Sequence, residues 1–194
     1  MALISSLIGL FIKLDVLVNA KVALLQTPLL TKLMLVITSL GSIAGLIILS
    51  VIAFALLAYK KRWLNAMLFS LSMLGGVGIE LLIKLIVHRP RLDNALIQAS
   101  GYSFPSGHAT MAMLFFLLLI YLFKDDIKKE LWKHVFIISC ISIALLIGFS
   151  RIYLNAHWLT DVIGGFALGL LWFMLSIFVF KKVEQIKPSS ERAV

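Results

Sequence analysis

Cysteine is nearly absent: Cys140 stands alone in 194 residues, so no intrachain disulfide can form and a stapled secreted module is excluded. Charge is scarce too, at 14% of residues against a usual value of about 25%. Intrinsic disorder needs the opposite balance. With only four prolines, twelve glycines and no repeat, nothing collagenous or linker-like remains. What is abundant is apolar surface: 61% of residues are hydrophobic and the mean hydropathy is +1.06. A soluble domain of this size could not bury so much. The composition therefore describes an integral membrane protein, all-α, because lipid offers the backbone no hydrogen-bond partner.

The few charges punctuate the chain. Residues 33–59, 63–79, 109–123, 135–150 and 162–180 carry none. A span needs about 20 residues, so the middle stretches cross only if the polar residues at their ends lie at an interface. A polytopic bundle of six helices is expected, with spans at about 1–12, 33–59, 63–88, 106–123, 135–152 and 158–180, in a single domain 1–182 followed by a cytoplasmic tail 183–194. The first span is short or incomplete. Residues 14–31, of mixed polarity, suit a helix lying in the outer interface.

Net charge is +9, which in a soluble protein would suggest nucleic acid. Its distribution argues otherwise. Eleven of the eighteen Lys and Arg residues fall in the turns 60–62 and 124–133 and after the last span. That is the positive-inside signature, so those ends are expected at the cytoplasm of a cell membrane and nucleic acid is not an expected partner.

The other ionisable residues cluster at the opposite ends of the spans. Lys84, Arg89 and Arg91 end the third; Pro105-Ser106-Gly107-His108 opens the fourth; Ser150-Arg151, His157 and Asp161 join the fifth and sixth. Ionisable groups beside hydrocarbon mark a site by default. Lys84, Arg91 and Arg151 give three fixed positive charges. Ser106 and Gly107 sit at a helix start, where unpaired N–H groups favour an anion. Phosphate fits such a pocket. His157 and Asp161, four residues apart, can place a carboxylate against an imidazole, leaving the other ring nitrogen as a nucleophile; His108 is then available as a general acid.

These three clusters resemble the signature of the type 2 phosphatidic acid phosphatase superfamily, K-x6-R-P, then P-S-G-H, then S-R-x5-H-x3-D. Lys84 and Arg91 match the first part, although Leu92 replaces its proline; the second and third match in full. The resemblance spans about residues 39–180. It implies a site at the outer leaflet and dephosphorylation without a metal or other cofactor, with His157 attacking, Asp161 supporting it and His108 as acid. Lys84, Arg91, Ser106, Gly107 and Arg151 would hold the phosphate. It also implies a lipid phosphate as substrate: phosphatidylglycerophosphate or phosphatidate first, an isoprenoid diphosphate such as undecaprenyl diphosphate second.

Other readings of the same residues stay open. His108, His157 and Asp161 could be zinc ligands, the pocket could bind or transport an anion without chemistry, or the final acceptor could be an alcohol, making a phosphotransferase. Plainer roles suit the rest. Arg89 reads as a snorkelling anchor. Glu80, four residues before Lys84, reads as its ion-pair partner. Gly41/Gly45 and Gly165/Gly169 read as close helix contacts. Trp158 could touch substrate. Oligomeric state is not readable.

Overall fold

The computed structural model describes residues 2–92, 94–98 and 100–186. Among them all regular structure is helical: α1 (Ala2–Ala23), α2 (Pro28–Leu40), α3 (Ile43–Tyr59), α4 (Trp63–Val87), α5 (Gly107–Phe123), α6 (Glu130–Tyr153) and α7 (Leu159–Ile186), with a 3-10 turn at Lys124–Asp126. Helices α4, α5 with its following turn, α6 and α7 are long and apolar enough to cross a membrane. The pair α2–α3 makes a fifth crossing if counted as one. The protein is an all-α polytopic membrane bundle.

The six helices expected become seven because the charge-free stretch 33–59 is broken. Helix α2 ends at Gly41, Ser42 caps α3 by accepting from Gly45 N–H at 3.1 Å, and the two axes are bent by 50°. A Cβ on Gly41 would lie 2.5 Å from Ile147 Cγ2, and one on Gly45 would lie 2.2 Å from the Ser39 carbonyl oxygen. These glycines thus serve the bend and its passage across α6, not a straight contact between helices. By contrast, Gly165 and Gly169 do let two helices approach: a Cβ at Gly169 would lie 2.4 Å from Thr110 O of α5.

Helix α5 is the axis of the bundle, packed against α4, α6 and α7. Its side chains from Ala109 to Leu122 supply much of the core, including the fully enclosed Leu114, Phe115 and Leu118. At one end of the bundle Asp126 pairs with Lys60 at 3.1 Å and Arg62 at 3.2 Å, and Asp125 with Lys133. At the other end, backbone bonds join the 88–106 segment to the start of α7 and the turn before it: Ser106 N–H donates to Asp161 O, and Leu96 N–H to Leu154 O.

The N-terminal region departs from expectation. Helix α1 runs on to Ala23, through part of the segment expected to lie in the interface. It is turned inside out. Asp15, Asn19 and Val22, spaced to share one face, are buried, while Phe11, Ile12, Val16 and Leu17 point outward. A helix in lipid gains by that inversion, since its polar side chains find partners only inside the bundle. At the other terminus α7 continues past Val183, where the tail was expected, to Ile186; the rest of that tail lies outside the described residues.

Candidate active site

His157 lies in the turn between α6 and α7, not on a helix with Asp161 as the spacing suggested. The contact forms all the same. Asp161 is in the first turn of α7 and reaches back, accepting from Trp158 N–H at 3.0 Å and approaching His157 Nδ1 at 3.4 Å with the same oxygen. The first of these is the bond that closes a capping box. Ser103 Oγ also donates to that oxygen in a very short contact. Arg89 Nη1 donates to the other carboxylate oxygen at 2.6 Å.

The second imidazole nitrogen of His157, Nε2, lies 3.1 Å from Arg91 Nη1. A guanidinium can only donate and a carboxylate accepts, so the tautomer follows: the proton is on Nδ1, towards Asp161, and Nε2 carries the lone pair. His157 is buried, and desolvation pushes its pKa down to about 4, with Arg91 and Arg151 lowering it further and Asp161 opposing. The ring is neutral across the physiological range.

Two of the three cations, Arg91 and Arg151, face this ring, and the third, Lys84, faces His108. Arg91 is anchored by Ser100 and Gly101 carbonyls, at 3.2 and 3.0 Å from Nε, and by Ala156 O at 2.9 Å. Burial lowers its pKa and the charges of Asp161 and Glu80 oppose that. Arg151, from α6, is buried and donates to Thr38 of α2 at 2.8 Å, while its Nε has no hydrogen-bond partner among the described residues. Lys84 pairs with buried Glu80 at 2.6 Å, as the spacing suggested. His108, in the first turn of α5, lies within electrostatic reach of Arg151, His157, Lys84 and Arg91.

Ser106 caps α5, fully buried, and Gly107 follows. A Cβ on Gly107 would come 2.8 Å from Glu80 Oε1 and 3.7 Å from Lys84 Nζ. Only glycine leaves space between the helix N-terminus and Lys84. A cavity of about 430 Å³ lies against Arg91 on its α1 side, lined also by Asn94, Asn155 and Trp158 and by Asn19 of α1. The eight residues singled out from sequence are thus gathered at one end of α4, α5, α6 and α7. Among the described residues, no three His, Cys, Asp or Glu side chains are grouped as metal ligands.

Arg89 corrects its sequence reading. It does not snorkel: it bridges Asp161 to Asp15 of α1, at 2.6 and 2.7 Å, and its guanidinium carbon lies 5.5 Å from the centre of the Trp158 ring. Asp15, Ser103, Thr160 and Thr38 also join the site or its supports without having been singled out. One signal was available, since Asp15 is the only acidic residue before Glu80.

A buried histidine beside a carboxylate, with cations close by at one end of a membrane bundle, is an arrangement suited to phosphoryl transfer. The PAP2 superfamily model matches residues 63–184, and the chain belongs to that superfamily. It is similar to phosphatidylglycerophosphatase B of Bacillus subtilis (strain 168), 35% identical over 180 residues covering 89% of this chain and 86% of that protein. It is also similar to human dolichyldiphosphatase 1, 31% identical over 144 residues that cover 65% of this chain and 59% of the relative. The crystal structure of a transmembrane PAP2-type phosphatidylglycerolphosphate phosphatase from Bacillus subtilis superposes with a TM-score of 0.81 at 33% identity, covering 89% of this chain and 87% of that one. The protein is a multi-pass membrane phosphatase of this superfamily.

Proposed function

We propose that this phosphatase hydrolyses a lipid phosphomonoester at the extracytoplasmic face through a phosphohistidine, with phosphatidylglycerophosphate or phosphatidate as substrate. The observation that carries the reading is His157 held between Asp161 at Nδ1 and Arg91 at Nε2. Nε2 attacks phosphorus, and the bond from phosphorus to the lipid oxygen breaks. His108 gives that oxygen a proton. Arg91 turns from Nε2 to the phosphoryl oxygens, joining Arg151, Lys84 and the N–H groups of Gly107 and His108, which neutralise charge developing there. His108, now a base, takes a proton from water; the oxygen displaces His157 from phosphorus and inorganic phosphate departs. Apart from the attacking water, each group these steps use is a side chain or backbone amide of this chain.

The sidedness rests on charge. The end opposite the site carries Lys60, Lys61, Arg62, Lys128, Lys129 and Lys133, the pattern that stays in the cytoplasm. The substrate choice rests on the similarity to the Bacillus phosphatidylglycerophosphatase over most of both chains. The similarity to dolichyldiphosphatase 1 favours an isoprenoid diphosphate as the second reading.

The test is phosphate release from a panel of lipid phosphates and diphosphates by the protein in proteoliposomes, with His157→Ala alongside. Highest kcat/KM on a glycerophospholipid phosphate, abolished by His157→Ala, supports the proposal. Preference for the isoprenoid diphosphate favours the second reading, and turnover that survives His157→Ala contradicts the mechanism.

A further inference from the structure

We propose that Arg89 and Asp15 are positioning residues of the phosphatase: a bridge from the N-terminal helix through one guanidinium holds Asp161 in the orientation that supports His157. The inference rests on the reading of His157 and Asp161 as nucleophile and partner.

The bridge is built from short bonds. Arg89 Nη1 donates to Asp161 Oδ1 and to Thr160 Oγ1, both at 2.6 Å, and Nη2 donates to Asp15 Oδ2 at 2.7 Å. Asp15 in turn accepts from Thr160 N–H at 2.9 Å and from Thr160 Oγ1 at 2.6 Å. That N–H belongs to the first turn of α7, which has no partner within its own helix. A carboxylate from a different helix caps α7, at the end where the helix dipole favours negative charge. Asp15 and Asp161 are fully buried, and Arg89 is three-quarters so.

Two buried carboxylates so close would repel, and the guanidinium fork lying between them removes the conflict. Lysine cannot reproduce it, because an ammonium lacks the planar pair of donors. Arg89 does not touch His157. Its influence passes through Asp161, whose first oxygen it fixes while the second faces Nδ1. The remaining charges around His157 are Arg91 from the loop after α4 and Arg151 from α6, with His108 of α5 opposite. Asp15 lies well outside residues 63–184, so this bridge makes α1 part of the catalytic machinery beyond the stretch that carries the family pattern.

The experiment is a double-mutant cycle on the full-length protein in detergent, with a short-chain lipid phosphate and kcat and KM measured separately across pH. Arg89→Ala should lower kcat by about 10- to 100-fold, the worth of a charge-assisted hydrogen bond, and change KM by less than about threefold. The acid limb of kcat should move to higher pH, because Asp161, no longer neutralised, favours the protonated imidazole. Arg89→Lys should keep the limb near its wild-type position yet recover only part of kcat. Asp15→Asn should lower kcat in the wild-type background and add nothing in the Arg89→Ala background.

A rise in KM with kcat retained would make Arg89 a phosphate ligand and overturn the proposal. Additive losses with an unmoved acid limb would reduce the bridge to packing, and overturn it too. If Arg89→Ala does not fold, the cycle built on Arg89→Lys and Asp15→Asn makes the same comparison, with additivity again the contrary result. If Asp161→Asn and His157→Ala both retain full turnover, the underlying site reading fails, whatever Arg89 does.

Discussion

Arg91 Nη1 sits 3.1 Å from Nε2 of His157, the nitrogen that attacks in the proposed mechanism. One guanidinium therefore holds the tautomer of the free site and stands where that mechanism places a phosphoryl oxygen. Arg91→Lys, which loses the second donor, should raise KM and lower kcat together, with kcat/KM falling by roughly 10- to 100-fold. Steady-state kinetics on one lipid phosphate checks this; a change in KM alone would limit Arg91 to ground-state binding.

Burial of His157 sets the pH dependence. In the proposed mechanism the neutral imidazole is the reactive form, and its pKa is held down at about 4 rather than at the ordinary 6.5. Activity that depends on this group should persist as pH falls through 6.5 and be lost only as it approaches 4. The measurement is kcat against pH at saturating substrate, with the ionisation of the substrate determined separately. An acid limb at the ordinary imidazole value would contradict the geometry.

The space at Gly107 is a prediction of its own. Alanine there would place a methyl 2.8 Å from Glu80 Oε1 and 3.7 Å from Lys84 Nζ, inside the proposed phosphate site. Gly107→Ala should weaken inhibition by vanadate and lower activity by about 10-fold or more, roughly the loss of one oriented charge contact, while the melting temperature stays near wild type. Unchanged vanadate affinity would remove Gly107 from the phosphate site.

Gly169 tests the scaffold. Leucine at that position cannot fit against Thr110 O of α5, where even a Cβ would lie at 2.4 Å. Gly169→Leu should destabilise the bundle by about 1–3 kcal/mol through overpacking, read as a lower melting temperature in detergent. Gly78, whose Cβ would meet nothing within 4 Å, is the control and should tolerate alanine.

The apolar helices and the clustering of six ionisable candidate residues could be read from sequence because charge is so rare here: each ionisable residue must end a span or serve a site, while Ser106 and Gly107 followed from the helix start beside them. The same scarcity hid the break at Gly41 and Ser42, since a bend inside a charge-free run leaves no polar mark. The mixed polarity of 14–31, to which Asp15 and Asn19 contribute, suited a helix in the outer interface, whereas their partners, Arg89, Thr160 and Asn155, were supplied by segments more than 70 residues away. Pairings at that range depend on packing, which no local spacing encodes. Arg89 was misread for the same reason. A lone arginine at a helix end is usually an anchor, and only the meeting of α1 with α7 gives it two carboxylates.

The central claim is that His157 becomes covalently phosphorylated. Rapid acid-free quenching of the protein with a radiolabelled lipid phosphate, followed by peptide mapping, tests it most directly. A phosphoryl group on the His157 imidazole, stable to base, labile to acid and missing from His157→Ala, is the predicted result. Label on another residue, or turnover in His157→Ala at the wild-type rate, would contradict it.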